Sequence, residues 1–216
     1  VTNAITVLAN LNAKGTKHPI LDCKLPGLRI AATLTPIALH GPSMCIRRHS
    51  AQIFTMQSYV DSGAFAPSIT MPRRTLTDRP ADADIAAGHE GLQRFLEWLA
   101  SSRYNFILSG STSAGKTALL NAMAAFIPTK DRVLTIEDTA ELKMSVPNWI
   151  AFESNPDVGV TTRDLIKHAL RYRSNRIWVG EVRGLEAFDV LHAYKTGHPG
   201  SGLSLHSEEA ALTLGQ

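Results

Sequence analysis

The chain has 216 residues, of which 44% are hydrophobic and 19% are charged, as expected for a globular protein with a sizeable core. No run of about 20 apolar residues occurs, which argues against a membrane-spanning helix. A net charge of +3 and an aromatic content of 6% are too weak a bias to indicate nucleic-acid binding. Cys23 and Cys45 lack the spacing of metal ligands, so we expect reduced thiols.

Residues 1–60 are predicted to form a small α+β unit. Helical spacing of apolar residues indicates a short helix at 4–11, and two alternating segments around Pro26-Gly27 indicate a hairpin. A third strand is expected at 43–48 and a short helix at 54–60. Residues 61–84 are rich in proline and arginine without periodicity, which is typical of a linker.

Residues 85–216 carry helical and strand patterns in alternation. Apolar runs at 105–108, 133–136 and 177–179 are typical of buried strands, and a short strand is expected in the final glycine-rich stretch. Helical patterns occupy 92–99, 118–126, 165–170 and 186–195. Thr161 and Asp164 have the spacing of a capping box at the start of the third of these helices.

The segment NFILSGSTSAGKT, at 105–117, predicts a phosphate-binding loop between a strand and a helix. Glycines let successive N–H groups surround a β-phosphate, Lys116 can bridge β- and γ-phosphates, and the Thr117 hydroxyl is placed to bind Mg²⁺. The alternative, a glycine-rich turn carrying a lysine by chance, does not account for the flanking strand and helix. The expected contact residues are Gly110, Ser111, Thr112, Ser113, Ala114, Gly115, Lys116 and Thr117.

Acidic residues follow the next two predicted strands. Glu137 and Asp138 end the 133–136 run, with Glu141 close behind, at the strand end where α/β proteins bind ligands. The alternative is a cluster that caps a helix. Gly180 occupies the position where phosphate-loop enzymes usually place aspartate, and Glu181 follows it immediately.

Two histidines and three linker arginines each allow more than one interpretation. His198 and His206 flank a glycine-rich turn, and without a further His or Cys ligand they do not indicate a zinc site, so core or turn histidines are the default. The linker arginines Arg73, Arg74 and Arg79 are most simply solvated charges. Alternatively, one of them reaches a nucleotide phosphate.

Four segments in order resemble the boxes of the secretion, or traffic, ATPases. GSTSAGKT is similar to their phosphate loop, TIEDTAEL to the aspartate box, RIWVGEVRG to the glycine-glutamate form of the second Walker motif, and TGHPGSGLSLH to the histidine box. Conjugal-transfer and type IV secretion ATPases match best, with Ser174-Asn175 in place of their Pro-Asp and Thr35-Pro36 in place of their Pro-Pro.

The resemblance implies a RecA-like α/β domain at 85–216, preceded by a small α+β domain, in a family of hexameric rings that bind ATP and Mg²⁺ between the two domains. Such proteins work at the cytoplasmic face of a membrane-associated secretion apparatus and power export or pilus assembly. The resemblance also implies that both domains extend beyond the two ends of this chain.

The resemblance further implies roles for residues. Lys116 and Thr117 would bind phosphate and Mg²⁺, Glu137 or Glu181 would position the attacking water, and Glu181 would also face the metal. His206, with His198, would sense the γ-phosphate. Further nucleotide contacts are expected from Asp138, Glu141, Arg183, and Arg47 or Arg48.

Three alternatives stay open. A type IV pilus or type II secretion motor is disfavoured because its aspartate box usually has proline where this chain has Thr139. A non-hydrolysing ATP-binding assembly subunit is disfavoured by Lys116, Glu137 and Glu181. A nucleic-acid translocase is conceivable on this fold, but the chain shows no basic stripe interleaved with aromatic residues.

Overall fold

The computed structural model describes residues 19–25, 28–48 and 89–206. The first two ranges form an antiparallel sheet of β1 (Ile20–Leu25), β2 (Leu28–Thr33) and β3 (Ser43–Arg48), in that order. The predicted hairpin strands and third strand are therefore confirmed. The helices expected at 4–11 and 54–60 and the linker at 61–84, with its three arginines, lie outside the described residues.

The remaining range forms a five-stranded parallel sheet in the order β4-β8-β7-β5-β6. Its strands are β4 (Phe106–Gly110), β5 (Val133–Glu137), β6 (Trp149–Glu153), β7 (Arg176–Val182) and β8 (Gly202–His206). Its helices are α1 (His89–Ser101), α2 (Lys116–Ala124), α3 (Thr162–Ala169) and α4 (Glu186–Lys195). Within the described ranges, none of the helices is long and apolar enough to cross a membrane.

The predicted α/β class is confirmed, with two differences in detail. β7 extends three residues beyond the expected Val179, to Val182. β6 was not expected at all. It lies beside β5, and the loop after β2 covers its other edge, so the pairings that stabilise it are distant in sequence.

Side chains of the central strands alternate between two apolar clusters, one on each face of the parallel sheet. Leu134 and Ile177 contribute to the face covered by α3 and α4, whereas Val133 and Trp178 contribute to the face covered by α1 and α2. Because both faces are covered, the central strands are mainly apolar between their ends, as expected of a parallel sheet.

The antiparallel sheet packs directly on the parallel one. Ala31 and Ala38 belong to the same buried cluster as the α3 face, and Ala38 forms an antiparallel bridge with Phe152 of β6. Thr33 Oγ1 lies 2.9 Å from His168 Nε2 and 2.8 Å from the Tyr172 hydroxyl, which joins β2 to the end of α3. The two sheets therefore share one core across residues 28–48 and 89–206.

The carboxyl ends of the parallel strands meet at one edge, where Gly110 of β4 pairs with His206 of β8. A register shift lies between Val179 and Val182, where three steps along β7 match two steps along β8. Such a bulge turns side chains out of the normal alternation and is frequent beside active sites. Here it falls on Gly180 and Glu181, at the strand end that the sequence singled out.

Candidate nucleotide site

The phosphate loop connects β4 to α2 and has the backbone of an anion-binding turn. Ser113 and Gly115 both adopt left-handed conformations, with φ of 63° and 83°, and residues 111–115 are exposed. Gly115 precedes α2 without any side-chain cap, so no side chain competes for the first amides of the helix. The loop therefore offers N–H groups and the positive end of a helix dipole to a phosphate.

Lys116 extends back over this loop. Its ammonium group donates hydrogen bonds to the carbonyl oxygens of Gly110 (2.8 Å) and Ser111 (2.9 Å), and it lies 3.3 Å from His206 Nδ1. All three partners are neutral acceptors and, among the described residues, no carboxylate forms an ion pair with Lys116. Because hydrogen bonds between ionised groups are stronger than those to neutral acceptors, phosphate oxygens can replace these partners.

His206 connects Lys116 to an acid. An ammonium group can only donate, so His206 Nδ1 accepts the hydrogen bond and the ring proton lies on Nε2, which contacts Glu181 Oε1. Thr112 Oγ1 is 3.5 Å from the same Nδ1. The imidazole thus lies between the phosphate-loop lysine and the carboxylate that follows Gly180.

Glu181 is held from its other side by Arg183. Arg183 Nε donates to Glu181 Oε2 at 2.9 Å, and this hydrogen bond, together with the carboxylate charge, raises the pKa of the Arg183 guanidinium. Arg183 is exposed, whereas the Glu181 side chain retains 23% of its exposure. The β7 bulge thereby directs Glu181 toward both His206 and Arg183, leaving it partly open to solvent.

Glu137 lies beside this group at the end of β5 and is only 4% exposed. Its Oε1 accepts hydrogen bonds from the backbone N–H groups of Glu141 and Leu142, both at 3.0 Å. Burial raises the pKa of the Glu137 carboxyl, and these two hydrogen bonds oppose the shift. A carboxylate with a raised pKa is a stronger base, which suits a group that orients or deprotonates water.

Asp138 connects β5 to its neighbours. Its Oδ1 accepts hydrogen bonds from Ser154 at the end of β6, at 2.8 Å, and from the Thr162 hydroxyl in the first turn of α3. The α3 terminus is itself fixed by a capping box between Thr161 and Asp164, as the sequence predicted. Sequence reasoning did not identify Ser154 or Thr162, and only the missed β6 could have drawn attention to Ser154.

Asn121 is a second contact that the sequence did not reveal. Its amide donates to the Glu141 carbonyl at 3.1 Å and accepts from the Lys143 N–H at 2.8 Å. These bonds join the middle of α2 to the segment after β5. The Glu141 side chain itself is exposed, and its backbone N–H is what contacts Glu137.

Not every predicted residue joins the phosphate loop. His198 is buried before the start of β8, at the opposite end of the sheet from His206, and its Nδ1 donates to the Ser174 carbonyl at 2.9 Å. These contacts are those of a structural turn histidine, which was the default interpretation. The geometry does not support the expected contact of His198 with a γ-phosphate. Arg47 and Arg48 end β3 and are exposed, and no described hydrogen bond or ion pair joins them to the phosphate loop.

The side chains at this edge suit a magnesium ion held by a nucleotide. No group of three His, Cys, Asp or Glu residues among the described ones could form a protein-only metal site. Mg²⁺ usually takes one or two protein ligands and completes its shell with phosphate oxygens and water. The Thr117 hydroxyl beside Lys116 and the partly exposed Glu181 fit this description.

Comparison with known proteins gives consistent matches. The family model described as "Type II/IV secretion system protein" matches residues 69–215. The conjugal transfer protein TrbB of Rhizobium radiobacter is 34% identical over 203 residues, covering 92% of this chain and 55% of TrbB. The type IV secretion system protein VirB11 of Bartonella quintana is 30% identical over 216 residues, covering 93% of this chain and 61% of that protein.

A solved structure agrees with these matches. The VirB11 ATPase of the Brucella suis type IV secretion system, described in complex with sulphate, aligns with a TM-score of 0.85 and 29% identity. The alignment covers 99% of this chain and 64% of the solved one. The chain thus spans about 55% to 64% of the length of these relatives.

Proposed function

Because the chain belongs to the type II/IV secretion system protein family, we propose that it is part of an ATP-hydrolysing motor. The motor would serve a type IV secretion or conjugation apparatus and power substrate export or pilus assembly. The single observation that carries the proposal is the contact series from Lys116 through His206 to Glu181. This series joins three of the four sequence boxes at one edge of the sheet.

Nucleotide binding would use the loop and its lysine. Backbone amides of the exposed residues 111–115 and of the start of α2 receive the phosphates, and the Lys116 ammonium leaves the Gly110 and Ser111 carbonyls for phosphate oxygens. Thr117 and Glu181 would hold Mg²⁺, which supplies charge neutralisation at the transferred phosphoryl group. The protein then contributes mainly positioning and electrostatic stabilisation.

Hydrolysis further needs a group that orients water. Glu137 and Glu181 both end strands at this edge, and they differ in environment. Glu137 is buried with one oxygen fixed by two amides, whereas Glu181 is ion-paired to Arg183 and contacts His206. Glu181 therefore suits the metal, and Glu137 suits the attacking water.

His206 would report the state of the site. When Lys116 moves to a phosphate, His206 Nδ1 loses its donor and becomes free to exchange partners, while Nε2 remains at Glu181. The imidazole can thus detect whether the γ-phosphate position is filled. We further propose that the protein functions as a homo-oligomer, a hexamer, at the cytoplasmic side of the inner membrane.

The test is Mg²⁺-dependent ATP hydrolysis as a function of protein concentration, with the Lys116→Ala variant as control. We expect a rate per subunit that rises with concentration, because sites shared between subunits form only on assembly. The rate should vanish in the Lys116→Ala variant. ATP binding without turnover above this control would favour a non-hydrolysing assembly subunit instead.

A further inference from the structure

The glycine in the second Walker segment lies directly against the aspartate-box glutamate. A Cβ placed on Gly180 would be 2.7 Å from Glu137 Cγ, 3.1 Å from its Oε1 and 3.3 Å from its Cδ. Real Cβ atoms essentially never approach another heavy atom to 2.7 Å. The Glu137 side chain therefore occupies the space into which a side chain at position 180 would extend.

Register explains this contact. Ile136 of β5 pairs with Val179 of β7, so Glu137 and Gly180 are the next neighbours across the same two parallel strands. The bulge in β7 begins at this point, and the Gly180 carbonyl accepts a hydrogen bond from Ser204 of β8. The Gly180 backbone is thus held on the β8 side while Glu137 covers it from the β5 side.

Glu137 has little freedom to move away. It is 4% exposed, and its Oε1 is held by the N–H groups of Glu141 and Leu142. The closest atom to the added Cβ is Cγ, which lies near the backbone and cannot swing aside as the end of a long side chain could. Gly180 does not adopt a positive φ, so an alanine would fit the backbone, and only the contact with Glu137 opposes it.

We propose that Gly180 is a positioning residue that makes room for Glu137. The carboxylate that lies beside this position of β7 is thereby supplied by the neighbouring strand β5. This inference rests on the proposed function, because Glu137 acts on water only if the site hydrolyses ATP. It accounts for the one residue of the second Walker segment that departs from the usual aspartate.

The test compares Gly180→Ala, Glu137→Ala and the double variant, by steady-state ATPase kinetics and by thermal unfolding without nucleotide. Gly180→Ala should lower kcat by about tenfold or more with KM for ATP changed less than about threefold, since Glu137 is displaced while the phosphate loop is intact. It should also lower Tm by about 5 °C through overpacking.

The double variant decides whether the effect of Gly180 depends on Glu137. If Gly180 acts through Glu137, adding Gly180→Ala to the Glu137→Ala protein should change neither kcat nor Tm further, because the crowded atoms are gone. The same loss in both backgrounds would overturn the inference, as would a Gly180→Ala protein with wild-type kcat. Should Gly180→Ala fail to fold, a folded double variant supports the proposal and an unfolded one overturns it.

Two controls separate this inference from the proposed function. Gly184→Ala should leave kcat within about twofold, because the atoms nearest its added Cβ are the terminal atoms of the Glu186 side chain, at 3.2 Å or more. If wild type and Lys116→Ala hydrolyse ATP equally, the proposed function fails. The unfolding of the nucleotide-free variants still tests the contact between Gly180 and Glu137 in that case.

Discussion

The two ends of the parallel sheet use the same kind of pair, an arginine with a carboxylate, in opposite ways. At the amino ends of the strands, Arg176 and Asp131 are 0% and 1% exposed and their side chains meet at 2.7 Å. At the carboxyl ends, Glu181 pairs with Arg183, whose side chain is 66% exposed. One pair is enclosed by the fold and the other is open to solvent.

The hydrogen bonds around each pair differ in the same way. The Arg176 guanidinium also donates to the carbonyls of Ala100 (2.9 Å) and Gly200 (3.1 Å), and Asp131 accepts from Arg103 at 2.8 Å. These bonds join α1, the loop before β5, β7 and the turn before β8. At the other end, the partners of Lys116 and Glu181 are few and exchangeable. One end of the sheet therefore maintains the fold, and the other end is suited to exchanging partners.

The largest effect on stability is expected from Asp131→Ala. Removing this carboxylate leaves the Arg176 cation buried without its counter-ion, which should cost about 3–5 kcal/mol of unfolding free energy. Chemical denaturation measures the loss. Asp157→Ala, which removes an exposed carboxylate, is the matched control and should change stability by less than about 0.5 kcal/mol. Equal losses in the two variants would contradict the assignment of Asp131.

At the open end, Glu181→Gln should act on turnover instead. The substitution keeps the shape of the side chain but removes the charge that faces Arg183 and His206, so kcat should fall by about 100-fold. The unfolding free energy should change by less than about 1 kcal/mol, because exposed ion pairs contribute little. Glu90→Gln, on the exposed side of α1, serves as control. A large loss of stability with an unchanged kcat would show that Glu181 maintains the fold and does not serve turnover.

Acid sensitivity of the fold should arise at His168, which is buried in the last turn of α3. Burial, followed by the nearby Arg171 charge, lowers the pKa of His168 from 6.5 to about 4, against a smaller opposing effect of Asp22. Because this pKa is depressed in the folded state, His168 contributes full stability above pH 6.5, which is lost as pH falls toward 4. Between pH 7 and pH 5 the loss is about 2 kcal/mol.

Denaturation of wild type and His168→Gln at several pH values measures this contribution. The variant should lack it, so the stability difference between the two proteins should shrink toward pH 5. Substitution of the exposed His192 by glutamine should leave the pH dependence as in wild type. A pH profile of His168→Gln parallel to that of wild type would show that His168 is not the responsible group.

The sequence predicted best the features whose determinants are local. The phosphate loop is one continuous segment, the α3 capping box needs only Thr161 and Asp164, and α4 has the expected bounds of Glu186 and Lys195. In each case the residues that decide the conformation lie within a few positions of one another.

Features that depend on distant partners were missed. β6 needs β5 on one side and the backbone of residues 37–39 on the other, and no local pattern specifies this pairing. β7 was predicted too short because Gly180 and Glu181 look like a strand end, whereas the bulge lets the strand continue past them. The resemblance placed His198 with His206 at the γ-phosphate, whereas β8 lies between them and His198 contacts Ser174 at the other end of the sheet.

The most direct measurement is thermal unfolding of wild type, Lys116→Ala and Asp131→Ala with and without a non-hydrolysable ATP analogue and Mg²⁺. At a ligand concentration of about 100 Kd, wild type should gain about 5–10 °C and Lys116→Ala almost nothing. Asp131→Ala should start from a lower Tm, but its Tm should rise with ligand as much as that of wild type, because the substituted residue lies at the other end of the sheet. An equal gain in Lys116→Ala, or none in wild type, would contradict the assignment of the nucleotide site.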